Sequence, residues 1–204
     1  MAKNKKKRKK QSSNNVFNKH GQIKPKNFIR KYARKLPLSK CYIAKNWQEI
    51  GMATTIVSRK MPSGDFAYAN YLVDTKCLGV KDTWGNIFLS RSEFEETIEM
   101  IAANLEGGLV ECDPILAQNV VYGAVEYAED LGFDPHKDFQ YTEFMLDDVE
   151  ELEYMELEFG QEGKPFYFEG PHDNVEKIMA TLLKNVGEGN FEYVLNASRR
   201  FSEF

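Results

Sequence analysis

The side chains able to do acid–base or covalent chemistry gather in two short stretches. Val73–Asp82 reads V-D-T-K-C-L-G-V-K-D and sets Cys77 among Asp74, Lys76, Lys81 and Asp82. Ammonium groups beside a thiol lower its pKa and favour the nucleophilic thiolate. Asp134-Pro135-His136-Lys137-Asp138 sets His136 between two carboxylates. That arrangement raises an imidazole pKa and suits a general base or a metal ligand. If the fold joins the two stretches, Asp74, Cys77, Lys81, Asp82 and His136 form a hydrolase or nuclease site, because a nucleophile and its base must come within hydrogen-bond reach. The same residues also have a structural reading, with Cys77 a buried strand residue and His136 a loop residue near a helix end. His172-Asp173 reads as a helix entry.

The pattern predicts no metal and no cofactor. The chain has no HExxH, no CxxC and no histidine pair at i, i+4, and its acidic stretch lacks the spacing of an EF-hand loop. Its three cysteines, Cys41, Cys77 and Cys112, are odd in number and widely spaced, which points to reduced thiols in a cytoplasmic compartment rather than a secreted disulfide scaffold. No apolar run approaches the ~20 residues that span a bilayer.

Charge supplies the strongest pattern. The 204 residues carry 27 Lys+Arg and 31 Asp+Glu, a net charge of −4. Residues 1–40 hold 15 of the cations and no Asp or Glu, so residues 41–204 carry a net −19. A uniformly basic nucleic-acid domain is excluded. Lys3–Lys10 contains seven cations in eight residues, a density suited to phosphate backbones, where cations displace counterions without reading bases. The expected nucleic-acid-binding residues are Lys5, Lys6, Lys7, Arg8, Lys9 and Lys10, supported by Arg30, Lys31, Arg34 and Lys35. RNA or the ribosome is the expected partner. A solubilising tail, a contact with anionic lipid and, in a eukaryotic source, a nuclear address are the other readings of the run. Residues 143–162 carry nine acidic residues and no basic one. They read as a solvated face, as a surface for a protein partner, or as a site on which the basic arm folds back until nucleic acid displaces it.

The elements follow from periodicity. Residues 1–25 read as a disordered Lys-rich arm, and residues 26–204 as one α+β domain. Phe28, Ile29, Tyr32, Ala33 and Leu36 recur at helical spacing behind Pro25, predicting an amphipathic helix to about Leu36. Tyr42–Ile50 reads as a short helix or turn. Ala53–Met61 and Phe66–Leu78 are β-branched and aromatic, joined by Pro62-Ser63-Gly64-Asp65, and predict a hairpin. Trp84–Leu89 is a further short strand or loop. Ser92 with Glu95 forms a capping box for a helix stopped by Gly107-Gly108. Asp113-Pro114 opens another that ends near Gly132. Leu152–Phe159 suggests a strand paired with Phe166-Tyr167-Phe168, and Asp173 or Asn174 caps a helix through Leu183. Phe191–Leu195 is a final short element. The expected class is α+β, with antiparallel hairpins packed on about four helices.

Three segments carry a resemblance. They are Leu36-Pro37 followed by Cys41, then Leu72-Val73-Asp74 with Cys77-Leu78-Gly79-Val80-Lys81-Asp82, and Gly123–Ala128 with Leu131-Gly132-Phe133, Pro135-His136 and Asp138-Phe139. Together, over about residues 33–140, they resemble a family of uncharacterised bacterial proteins whose modules sometimes occur beside SEC-C-like segments. The resemblance implies a bacterial cytoplasmic source and no particular activity. It does not extend to the Lys-rich arm or the acidic 143–162 stretch.

Overall fold

A computed structural model of the chain describes residues 23–195, so the predicted arm cations Lys5–Lys10 lie outside the described residues. The body is built on an antiparallel sheet of five strands: β1 (Leu38–Ala44), β2 (Met52–Lys60), β3 (Phe66–Asp74), β4 (Gly79–Leu89) and β5 (Leu109–Cys112). Their order is β4-β3-β2-β1-β5. The class is α+β, with six α-helices among the described residues rather than about four.

The predicted hairpin is β2–β3, in register from Met52 opposite Asp74 to Lys60 opposite Phe66. Strand side chains alternate between faces, and one face of this pair is covered throughout, the other in part. One face joins Ala53, Val57, Ala67, Ala69, Tyr71 and Val73 to a single core cluster. Over it lie α1 (Pro25–Tyr32), α4 (Pro114–Asp130) and α5 (Phe139–Thr142), through Phe28, Ile29, Val120, Val121, Ala124 and Phe139. The alanines of β3 leave room for these helices. Phe28 and Ile29 are fully buried, and each such side chain contributes about 1.5–3 kcal/mol. A single turn of 3-10 helix, Ala33–Lys35, completes the first predicted helix. Phe88 adopts φ 59° at the irregular end of β4 and meets Phe28 edge-on at 5.1 Å. The opposite face is covered only over part of its area, by α3 (Arg91–Ala103), whose Phe94 stacks on Phe66 at 4.7 Å.

Several expectations are corrected. Tyr42 lies in β1, not in a helix, and the only helix nearby is the four-residue α2, Trp47–Ile50. The capping box uses Ser90 and Glu93, two residues before the predicted pair, with the Ser90 N–H donating to Glu93 Oε2 at 2.8 Å. Leu152–Phe159 forms no strand. Its backbone is held by a helix side chain: Asn119 of α4 donates to the Glu153 carbonyl at 2.9 Å and accepts from the Met155 N–H at 3.0 Å. An amide side chain thus substitutes for a strand neighbour, and the acidic stretch lies as a strap along α4.

The predicted partner, Phe166–Phe168 (β6), instead pairs in parallel with β7 (Glu192–Val194). Parallel strands require a crossover, and α6 (Val175–Asn185) supplies it. Tyr167, Leu182 and Phe191 of this unit share a third cluster with Cys77, Leu78 and Leu131. Gly79 begins β4 at φ +65°, where an added Cβ would stand 2.8 Å from the Ala124 carbonyl oxygen. Only glycine allows β4 to approach α4 so closely.

Candidate functional site

The part of the second sheet face that α3 leaves uncovered borders the β6–α6–β7 unit, and between them runs a groove of about 770 Å³. Met52, Leu72 and Asp82 line it from the strands, Ile50 and Gly51 from α2 and its end, and Phe166, Phe168 and Pro171 from the opposite wall. Lys76 and the acids Asp74, Glu169 and Asp173 complete it with Lys81 and His172. Phe168 and Ile50 remain 57% and 46% exposed, large apolar side chains at a concave surface.

The β3–β4 turn, Thr75–Leu78, positions most of these groups. Asp74 Oδ1 accepts the N–H groups of Lys76 at 2.9 Å and Cys77 at 3.0 Å. Burial raises its pKa, opposed by those backbone donors and by Lys81. The turn also ties three other segments. Thr75 donates its N–H to the Gly51 carbonyl, and its own carbonyl accepts from Gly160. The Lys76 carbonyl accepts from Phe166, which fixes β6 against the sheet. Lys76 Nζ donates to Gln161 at 2.9 Å and to the Glu49 carbonyl at 3.2 Å, and lies 5.5 Å from the Phe166 ring centroid.

Lys81 pairs with Asp173 at 2.9 Å, across 92 residues, with both side chains largely buried. Asp173 Oδ2 also accepts the Gly170 N–H at 2.8 Å and the Tyr167 hydroxyl at 3.4 Å. A Cβ on Gly170 would stand 2.9 Å from that oxygen and 3.0 Å from Lys81 Nζ, so the glycine makes room for the pair. The cap of α6 falls to Asn174, which accepts from Lys177.

The structure therefore brings together Asp74, Lys81 and Asp82 of the sequence-predicted set. His136 lies beside them: its N–H donates to the Val80 carbonyl, and its Nδ1 is 3.7 Å from Asp82 Oδ1, beyond hydrogen-bond reach. Nδ1 is buried without a hydrogen-bond partner among the described residues. The flanking Asp138 pairs with Lys26 instead. Cys77 follows the structural one of its two readings, in the turn after β3 rather than in the strand. It is fully buried in the apolar cluster under β6. Burial, reinforced by the Asp74 charge, pushes its thiol far above the ordinary range. The lysines beside it in sequence do not overcome this, and Cys77 packs as a core residue. Among the described residues no three His, Cys, Asp or Glu side chains group as a metal site.

Sequence reasoning missed the groove's far wall, because Phe166, Phe168, Glu169 and Asp173 lie about ninety residues after the turn they face. The local signal was an aromatic strand running into the turn residues Gly170-Pro171-His172-Asp173. It also missed Arg59, fully buried on β2, which donates to the carbonyls of Leu36 and Met145 and to Asp147. The alternation Ala53, Thr55, Val57, Arg59 places it on the inner face.

The expected basic helix is divided in use. Arg34 is committed to the body, donating to the Leu146 carbonyl at 3.2 Å and to Asp148 at 3.1 Å and lying 4.9 Å from the Phe144 ring centroid. Arg30, Lys31 and Lys35 are exposed. Among the described residues no helix is long and apolar enough to cross a membrane. No protein-family model, curated protein or solved structure matches the chain.

Proposed function

We propose that the chain is a bacterial cytoplasmic accessory protein that binds RNA, free or in the ribosome, through its basic N-terminal segment. The observation that carries the reading is the two-sidedness of α1. Phe28 and Ile29 are buried in the core, while Arg30, Lys31 and Lys35 stand in solvent. In sequence the Lys3–Lys10 run leads into this helix, which packs on an acidic body. Exposed cations gain affinity for a phosphate backbone by counterion release, and the net −19 of residues 41–204 repels RNA elsewhere. Arg34 is left out of the binding set because it holds the body together.

The test is RNA binding by the full chain against a variant with Lys5–Lys10 changed to alanine, over a salt series. Affinity is expected to fall steeply with salt, with a log–log slope of about −0.7 to −0.9 per phosphate contact, and the variant to lose most of that slope. Equal affinity and equal slope for the variant would overturn the reading.

A further inference from the structure

We propose that the groove between the sheet and β6 binds a small organic cation, an ammonium or guanidinium group carried on an aliphatic or aromatic body. This site is separate from the basic segment, and its charge has the opposite sign. Four carboxylates line it, Asp74, Asp82, Glu169 and Asp173, against two ammonium groups, Lys76 and Lys81. Both ammonium groups are engaged: Lys81 with Asp173, and Lys76 with Gln161 and the Glu49 carbonyl. Two of the carboxylates retain acceptor capacity. Asp173 takes its three donors on Oδ2, and Asp82 takes the Thr83 N–H on Oδ1, leaving one oxygen of each without a donor among the described residues.

An anion entering here meets a net negative lining on a negative body, whereas a cation gains from both. The walls supply the rest of the recognition. Phe168, Ile50, Met52 and Leu72 offer apolar area, and the face of an exposed phenyl ring attracts a cation. The volume of about 770 Å³ lies within the roughly 300–1,000 Å³ typical of small-molecule sites. The ligand's charged head sits on Asp173 and Asp82, and its body lies along Phe168 and Ile50.

The experiment titrates the full isotope-labelled chain with hexylamine and phenethylamine, and with hexanoate and phenylacetate as anions of matched shape. Amide shifts and calorimetry are read together. The amines are expected to shift amides of Ile50–Met52, Leu72, Lys81–Asp82 and Phe166–Asp173, and the anions to leave them unmoved. Asp82 and Phe168 are exposed enough to change without disturbing the fold. D82N and F168A are each expected to weaken amine binding, D82N by roughly three- to tenfold as one charge-assisted contact is lost. Anion binding equal to or tighter than amine binding would overturn the proposal. So would amine shifts outside these segments, or no shift at tens of millimolar amine. A blocked Phe-Arg-Phe tripeptide that saturates the groove while both small amines fail would also overturn it, by making the occupant a peptide.

Discussion

Arg59 on β2 and Asp147, 88 residues later, meet at 2.7 Å. The guanidinium is fully buried and satisfies two carbonyls besides the carboxylate, those of Leu36 and Met145. Asp147 is gripped from α4 as well: its N–H donates to Gln118 and its carbonyl accepts from the Tyr122 hydroxyl. The acidic strap therefore starts from a fixed point. Removing Arg59 takes this donor from two buried carbonyls and leaves the Asp147 carboxylate with the Gln118 amide at 3.4 Å and no opposite charge paired to it among the described residues. R59A is expected to cost about 3 kcal/mol, read from denaturant unfolding. An unchanged midpoint would show the contact to be dispensable.

Asn119 presents a different dependence. Its amide makes two hydrogen bonds to the strap backbone, at Glu153 and Met155. N119A is expected to lose about 1–3 kcal/mol and to speed exchange of the Met155 amide more than amides of the sheet. Uniform acceleration across the chain would instead mean that the strap unfolds only with the body.

Helix capping separates two nearby serines. Ser90 caps α3 reciprocally with Glu93. S90A is expected to cost about 1 kcal/mol of stability, and S92A to stay within about 0.5 kcal/mol of wild type. Thermal or chemical unfolding of the two variants decides between them, and equal losses would refute the assignment.

Asp74 gives a pH signature. Its carboxyl pKa is raised by burial from an ordinary value of 3.8, so the folded chain holds that proton to higher pH than the unfolded chain does. The stability it contributes is complete below pH 3.8 and is lost as pH rises through the folded value. D74N keeps an oxygen to accept the turn N–H groups and cannot ionise. Relative to wild type it is expected to gain stability as pH rises from about 4 through the folded value and to keep that gain above it. A stability difference that is flat between pH 3 and 7 would contradict this.

What the sequence made legible follows from the range over which each signal acts. The β2–β3 hairpin, α1, α4 and α6 have repeated periodicity or strong caps, and these are local properties. Strand β5 is four residues long and β7 three, too short for alternation to register. The alternation at Met155, Leu157 and Phe159 is real, but its backbone partner is the Asn119 side chain rather than another strand. The near wall of the groove was legible because Asp74, Lys81 and Asp82 share one stretch. The far wall was not, since Lys81 finds Asp173 only through packing of the β6–α6–β7 unit. The two readings of Cys77 diverge for the same reason: its neighbours in sequence are charged, but its neighbours in space are Leu131, Tyr167 and Leu182.

The two turns of the β2–β3–β4 meander differ in how much of the molecule depends on them. At Pro62–Asp65 the residues are largely exposed, and Gly64 has open space around it. At Thr75–Leu78 the backbone joins Gly51, Gly160 and Phe166 in one place. Engineered breakpoints should follow that difference. A split site, an inserted tag or new termini from circular permutation belongs at Pro62–Asp65, where the cut severs one hairpin link. The same operation at Thr75–Leu78 would loosen the Gly160 end of the strap and the carboxy-terminal unit from the sheet together, so a reporter spliced there would sense how these parts dock on one another.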